Sequence, residues 1–141
     1  MKWDSSFAIG IEAIDDQHKK IFEHLLAIEN AVAKRDPWHI LRFHLSQLTE
    51  YMKFHLAVEE ALLEIIRYPQ YAEHCALHAG LMDKIVELEK QLETAGSGRN
   101  PAGKQVPAES LVVFFEDWFV RHVLSRDREF AAYVKQEFPA L

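Results

Sequence analysis

Apolar residues recur every three or four positions through most of the chain. This spacing places apolar side chains on one face of a helix, and it therefore predicts amphipathic α-helices. Four such segments are present, at about 12–35, 37–67, 70–94 and 107–127. Proline-containing turns separate the first three segments, and a stretch rich in glycine and proline, 95–107, precedes the fourth. No segment shows the alternating pattern of a strand, so the sequence predicts an all-α protein.

Short connections between consecutive helices favour an up-down-up-down antiparallel four-helix bundle. Residues 1–11 mix aromatic, aliphatic and polar side chains, and we expect them to form an N-terminal arm packed against the bundle. Residues 128–141 form a tail that we expect to be a short C-terminal helical extension. Because there is no internal repeat and no second region of different composition, we expect one domain over 1–141.

Composition narrows the possible partners of this protein. The formal net charge is −6 and no basic stripe is present, which argues against nucleic acid as a partner. No apolar run approaches the roughly 18 residues that a membrane span requires. The single cysteine, Cys75, excludes an internal disulfide and suits a reducing compartment. We therefore expect a cytoplasmic protein without a nucleic-acid or membrane partner, and we expect it to be a monomer.

Potential metal ligands occur in two pairs on neighbouring predicted helices. His55 and Glu59 are four residues apart, and so are His74 and His78. On a helix each pair lies on one face, about 40° apart around the axis. Facing helices that each offer such a pair are a common way for a helical bundle to hold a metal.

The potential ligands also fall at one height of the predicted bundle. In an antiparallel helix pair, residues at the same height are equidistant from the turn that joins the helices. His18 and His55 meet this condition for the first predicted turn, His55 and His78 for the second, and His78 and His122 for the third. The spacing therefore predicts one layer of seven ligands: His18, His55, Glu59, His74, His78, His122 and Asp127.

Five imidazoles and two carboxylates are more donors than one ion needs. A tetrahedral zinc site would use four of them and leave the others unpaired in the core. Imidazole and carboxylate without thiolate suit iron, and bridging carboxylates allow two ions a few Å apart. An iron with three histidines, two bridging carboxylates and a bridging oxygen is six-coordinate and closed. The other iron, with two histidines and the same bridges, is five-coordinate and keeps an open position. An open position on a redox-active metal is a binding site for a small diatomic molecule.

The sequence resembles the hemerythrin family, specifically its bacterial single-domain members. The matching segments are GIEAIDDQH (10–18), HLAVEE (55–60), HCALH (74–78) and HVLSRD (122–127), with Trp3 ahead of them. They match the family pattern of an isolated His, His-x3-Glu, His-x3-His and His-x4-Asp. The resemblance implies a non-haem centre of two iron ions with a bridging oxo or hydroxo group.

The resemblance also implies how the ligands divide. One iron would be held by His74, His78 and His122, and the open iron by His18 and His55. Glu59 and Asp127 would bridge the two ions. The implied function is reversible O2 binding for carriage, storage, delivery or sensing, and not enzymatic turnover. The alternatives are a diiron enzyme acting on peroxide or nitric oxide, and an iron-dependent sensor or interaction module.

Apolar residues occupy the positions that match the O2 pocket of the family, where they would exclude water from the open iron. Leu56 stands where phenylalanine is usual, and Phe119 is bulky where a smaller aliphatic residue is common. These two departures bear on the shape of the pocket. Its expected residues are Ile21, Leu56, Trp118, Phe119 and Val123.

One ligand pair does not fit a regular helix. His122 and Asp127 are five residues apart, which separates them by about 140° on an ideal α-helix. Both can face inward only if the helix widens to a π-type turn or breaks. We predict this change near Leu124-Ser125.

Other potentially reactive side chains receive ordinary structural interpretations. His24 and His39 lie outside the layer and are expected to be solvated, while His44 is expected to be a hydrogen-bonded core or boundary histidine. Cys75 is expected to be a small buried filler. Glu60 is expected to lie at the surface or to act as an outer partner of the ligands.

Overall fold

The computed structural model describes residues 2–94 and 106–140, and it confirms the all-α fold. A 3-10 turn, Ser5–Phe7, precedes the first helix. The long helices are α1 (Glu12–Ala33), α2 (Trp38–Ile65), α3 (Tyr71–Thr94) and α4 (Val106–Arg121). A π-helical segment, His122–Asp127, then leads directly into α5 (Arg128–Glu137). The connection expected at 95–107 lies outside the described residues up to position 105, and α4 begins at Val106.

Each long helix packs against its neighbours so that the four close a ring around one core. The contacting pairs are α1 with α2, α2 with α3, α3 with α4, and α1 with α4. Such closure through sequential neighbours is the up-down-up-down bundle expected from the sequence. The core is formed by fully buried side chains from these helices and α5, including Ile21, Leu25, Leu48, Met52, Leu63, Phe115, Phe119 and Phe130.

The first two interhelical turns have the same construction. Arg35 and Arg67 each adopt a left-handed conformation with a φ of 54°. The following amide of each turn, at Asp36 or Tyr68, then bonds back to a carbonyl five residues earlier, at 3.0 Å and 2.9 Å. These are the bonds of a Schellman helix end, and a proline follows each one. Both turns reverse the chain sharply and keep consecutive helices antiparallel.

The N-terminal arm is held by hydrogen bonds near its junction with α1 and at its middle. The Asp15 carboxylate in the first turn of α1 accepts the amide of Ile9 at 2.8 Å and that of Gly10 at 3.1 Å. Arg128, at the start of α5, donates to the carbonyl of Ser6. The arm therefore links the beginning of α1 to the C-terminal helix.

The C-terminal tail forms the helix expected from the sequence. The inner face of α5 buries Phe130, Ala131 and Val134 against the bundle. Within residues 2–94 and 106–140, no helix combines the length and hydropathy that crossing a bilayer would need.

Candidate metal centre

The seven predicted ligands come together in one buried layer. His18 is on α1, His55 and Glu59 are on α2, and two more histidines are on α3. The π-helical segment supplies the last two ligands. None of the seven residues is more than 5% exposed. The ligands from α3 and the π-helical segment are His74, His78, His122 and Asp127.

Three imidazoles surround one oxygen of Glu59. The distances from Glu59 Oε1 to Nε2 of His74, His78 and His122 are 2.5, 3.1 and 3.7 Å. One oxygen of Asp127 reaches the same group, because its Oδ1 lies 2.7 Å from Nε2 of His122 and 3.3 Å from that of His74. We call His74, His78 and His122 the three-imidazole group.

The other two imidazoles face the second oxygen of each carboxylate. Nε2 of His55 lies 3.3 Å from Glu59 Oε2, and Nε2 of His18 lies 3.3 Å from Asp127 Oδ2. The rings of His18 and His55 are 4.8 Å apart, edge to face. We call His18 and His55 the two-imidazole group. Both carboxylates therefore divide their oxygens between the two groups.

The π-helical segment brings Asp127 into the layer, as predicted from the sequence. The wider turn takes up one extra residue, so residues five apart share a face. Asp127 is consequently fully buried in the same segment as His122. The hydroxyl of Ser125 donates to the carbonyl of Arg121, which satisfies a backbone acceptor at the start of the widened turn.

The ligands perturb one another electrostatically. Burial raises the pKa of the Glu59 carboxyl, but hydrogen bonds from the surrounding imidazoles outweigh burial and hold this pKa well below its usual range. Burial and the Glu59 charge likewise raise the pKa of Asp127. The interactions with His122 and His18 outweigh them, so this pKa also lies below its usual range. Burial lowers the pKa of His122, whereas the two carboxylates raise it to about 9. A proton on His122 thus supplies positive charge beside the two carboxylates.

These properties fit a bound cation. Donor atoms of Glu59 and the three-imidazole group lie within 4.8 Å of one another, and so do those of Glu59 and the two-imidazole group. Several buried ligand atoms lie close to neighbouring ligands but make no hydrogen bond of acceptable geometry to the described residues: both ring nitrogens of His18, Oε2 of Glu59 and both oxygens of Asp127. An unsatisfied buried polar group costs roughly 1–3 kcal/mol, so convergence of several of them is explained by an ion that they would coordinate.

The expected pocket residues lie on different sides of the ligand layer. Ile21, Phe119 and Val123 are buried, and the Phe119 ring meets that of His18 edge to face at 5.1 Å. The Trp118 ring is half-buried and stacks on His122 at 4.4 Å, beside the three-imidazole group.

Leu56 is buried and forms part of a surface groove between α2 and α3. The groove has a volume of about 300 Å³ and is lined by Lys53, Leu56, Ala57, Glu60, Cys75, His78, Ala79 and Met82.

Two outer contacts of the ligands involve residues other than the expected donors. Oε1 of Gln17 lies 2.8 Å from Nδ1 of His55, a contact that was not predicted from the sequence. The position of Gln17 directly before His18 was the only available signal, because helical spacing does not show which side chain reaches across to α2. Glu60, expected at the surface or as an outer partner, is partly exposed, with Oε1 3.8 Å from Nδ1 of His78.

The predictions of burial for the remaining histidines and for the cysteine were only partly correct. His39 is exposed, as predicted, but His24 is half-buried with its ring 5.4 Å from that of Tyr51. His44 is half-buried at the boundary of the core. The prediction that Cys75 is a buried filler was wrong: it is half-buried in the groove, where burial raises the pKa of its thiol.

The fold and the site together define an all-α bundle with a buried His/Glu/Asp cation site. A model of the Hemerythrin family, described as the Hemerythrin HHE cation binding domain, matches residues 9–134. The chain therefore belongs to the hemerythrin family, which confirms the resemblance seen in its motifs. Hemerythrins bind O2 at a diiron site, so the function expected from the motifs agrees with the family.

Several hemerythrins are similar to this chain over most of their length. A bacteriohemerythrin of Stenotrophomonas maltophilia (strain R551-3) is 25% identical over 136 residues, which cover 94% of this chain and 80% of that protein. A bacteriohemerythrin of Clostridium acetobutylicum is 27% identical over 135 residues, covering 91% and 96%. The myohemerythrin of Sipunculus nudus is 26% identical over 125 residues, covering 89% and 86%.

Proposed function

We propose that this protein binds O2 reversibly at a centre of two non-haem iron ions with a bridging oxo or hydroxo group. The observation that carries the proposal is the division of each carboxylate between two imidazole groups. One oxygen of Glu59 and one of Asp127 face three imidazoles, and the other two oxygens face two imidazoles. A carboxylate with a metal at each oxygen is the bridging arrangement that holds two ions a few Å apart.

The proposed ligand assignment follows this division. His74, His78 and His122 would hold one iron, and His18 and His55 would hold the other. Glu59 and Asp127 would bridge them. The donor set contains no thiolate, which suits iron, and two ferrous ions would supply the electrons for reversible O2 binding. The two-imidazole side has fewer protein donors, and we assign the open position to it.

The proposed role of the apolar side chains is to keep water away from the open position. Phe119 is only 1% exposed and packs directly on the His18 ring, so it would form the wall on the two-imidazole side. Ile21, Val123 and Leu56 would complete the pocket with buried aliphatic surface. Trp118, stacked on His122, would shield the three-imidazole side. Excluding water hinders protonation and loss of the bound molecule.

We further propose that the protein is an O2-binding protein and not an enzyme. Oxygen-activating bundles use four or more carboxylates, whereas the layer described here contains two carboxylates and five imidazoles. Neutral imidazoles donate less charge than carboxylates and stabilise high-valent iron less. This donor set therefore favours binding over substrate oxidation.

The test is reversibility. The protein is loaded anaerobically with two equivalents of Fe²⁺, its iron content is measured, and the sample is cycled between air and argon. An absorbance band that appears in air and disappears under argon over several cycles is the expected result. Irreversible oxidation accompanied by turnover of peroxide or nitric oxide would favour a diiron enzyme, and an iron content below two per chain would refute the proposed centre.

We also propose that residues 1–141 act as one hemerythrin domain, as a monomer in the cytoplasm. The family match over 9–134 and the single cysteine support this proposal. Size-exclusion chromatography with light scattering tests the oligomeric state.

A further inference from the structure

Gln17 makes a direct polar contact with a proposed iron ligand. It lies on α1 immediately before His18, and its side-chain oxygen Oε1 is 2.8 Å from Nδ1 of His55 on α2. His55 is only 2% exposed, so water has little access to its ring. Because an amide oxygen only accepts hydrogen bonds, Nδ1 of His55 is the donor in this contact.

We infer that Gln17 is a positioning residue that holds His55 in the tautomer and the orientation that metal binding requires. The inference rests on the proposed two-iron site. An imidazole that binds a metal is neutral and carries one proton, on the ring nitrogen that does not face the metal. With that proton on Nδ1, the lone pair of Nε2 faces the second oxygen of Glu59, 3.3 Å away, at the donor position of the two-imidazole group.

His18, the other member of this group, is held in a different way. Neither of its ring nitrogens has a hydrogen-bond partner among the described residues. Its ring is instead fixed by edge contacts with His55 at 4.8 Å and with Phe119 at 5.1 Å. Loss of the Gln17 contact would therefore free His55 to turn, while His18 would keep its packing. The consequence is confined to the two-imidazole group.

Within residues 2–94 and 106–140, no side-chain amide makes a contact of this kind with the three-imidazole group. The Glu60 carboxylate lies on this side, but its Oε1 is 3.8 Å from Nδ1 of His78, which is beyond hydrogen-bond length. Nδ1 of His78 and that of His122 have no hydrogen-bond partner among the described residues. Substitution of Gln17 should accordingly weaken one metal position and leave the other unchanged.

The experiment is an anaerobic titration of the full chain with Fe²⁺, which measures the affinity of each of the two binding steps. Gln17→Met has nearly the same size but no acceptor, and it should weaken one step by about 10–100-fold. Gln17→Glu restores an acceptor at the same reach and should restore the affinity. Gln91→Met makes the same chemical change at an exposed position on α3 and should have no effect.

The outcomes separate a positioning role from packing. Unchanged affinity in Gln17→Met overturns the inference. So does a loss that Gln17→Glu fails to restore, because packing alone would then explain it. If Gln17→Met does not fold, Gln17→Asn decides, since it keeps the amide but is one methylene short: a weakened step supports positioning, and wild-type affinity overturns it. Wild-type protein that binds fewer than two irons refutes the proposed function itself, and the inference with it.

Discussion

Replacement of Phe119 by alanine should both destabilise the protein and open the proposed O2 pocket. Phe119 is 1% exposed and meets two rings edge to face, His18 at 5.1 Å and Phe22 at 4.7 Å. A fully buried Phe→Ala change costs about 3–5 kcal/mol of unfolding free energy. Loss of the two ring contacts accounts for roughly 1–3 kcal/mol of that cost. For a protein of this size the melting temperature should fall by about 6–20 °C.

Two measurements check this prediction. Thermal unfolding of the metal-free protein reports the cost of the cavity, and the rate at which the oxygenated band decays in air reports the loss of water exclusion. We expect faster decay in Phe119→Ala. The matched control is Phe43→Ala, because Phe43 is 57% exposed and its removal should change stability by no more than about 0.5 kcal/mol. If both variants unfold like the wild type and the decay rate is unchanged, Phe119 is not a wall of the site.

Three further predictions concern the charges of the site and the arm. Glu59→Gln should reduce the iron content below two per chain, because it removes a charge that both imidazole groups face. Burial lowers the pKa of His122 but the two carboxylates raise it to about 9, so Fe²⁺ binding near neutral pH should release protons and tighten as pH rises toward that value. Asp15→Ala should free the arm by removing acceptors for the amides of Ile9 and Gly10, at a cost of about 1–3 kcal/mol.

Each of these predictions has its own measurement. Metal analysis tests Glu59→Gln, and two irons per chain would contradict the bridging role. Calorimetry in buffers of different ionisation enthalpy counts the protons released by the wild type, and a count of zero would contradict the raised pKa of His122. Hydrogen exchange tests Asp15→Ala through the arm amides. Asp16→Ala is the control for the arm, because Asp16 is exposed and its carboxylate pairs with Lys19, at 3.7 Å, and not with an arm amide among the described residues.

The ligand layer could be predicted from the sequence because it depends on position along the chain. Helical spacing determines the height and the angle of each donor, and the prolines locate two of the turns. The five-residue spacing of His122 and Asp127 violates the helical period, which predicted either a π-type widening or a break, and the structure has the π-helical segment. The irregular backbone at this site is therefore visible in the sequence as an irregular spacing of two ligands.

Features that depend on side-chain conformation were not predictable in the same way. Leu77 fits the apolar stripe of α3 by spacing, yet it is 36% exposed because α3 buries the face that carries His74 and His78. Cys75 was assigned to the interior, although it is half-buried and lines the groove between α2 and α3. The oxygen-by-oxygen division of the carboxylates and the reach of Gln17 to His55 both depend on rotamers. Spacing gives the direction of Cβ, but it does not give the partner at the end of a flexible side chain.

The two Schellman turns between α1 and α2 and between α2 and α3 are positions where the protein can be stabilised by substitution. Arg35 and Arg67 each adopt a backbone conformation that strains a residue with a side chain and that glycine adopts freely. Both arginines are exposed, and neither belongs to the ligand layer. Replacing either arginine with glycine should therefore raise the melting temperature and leave the ligand layer unchanged.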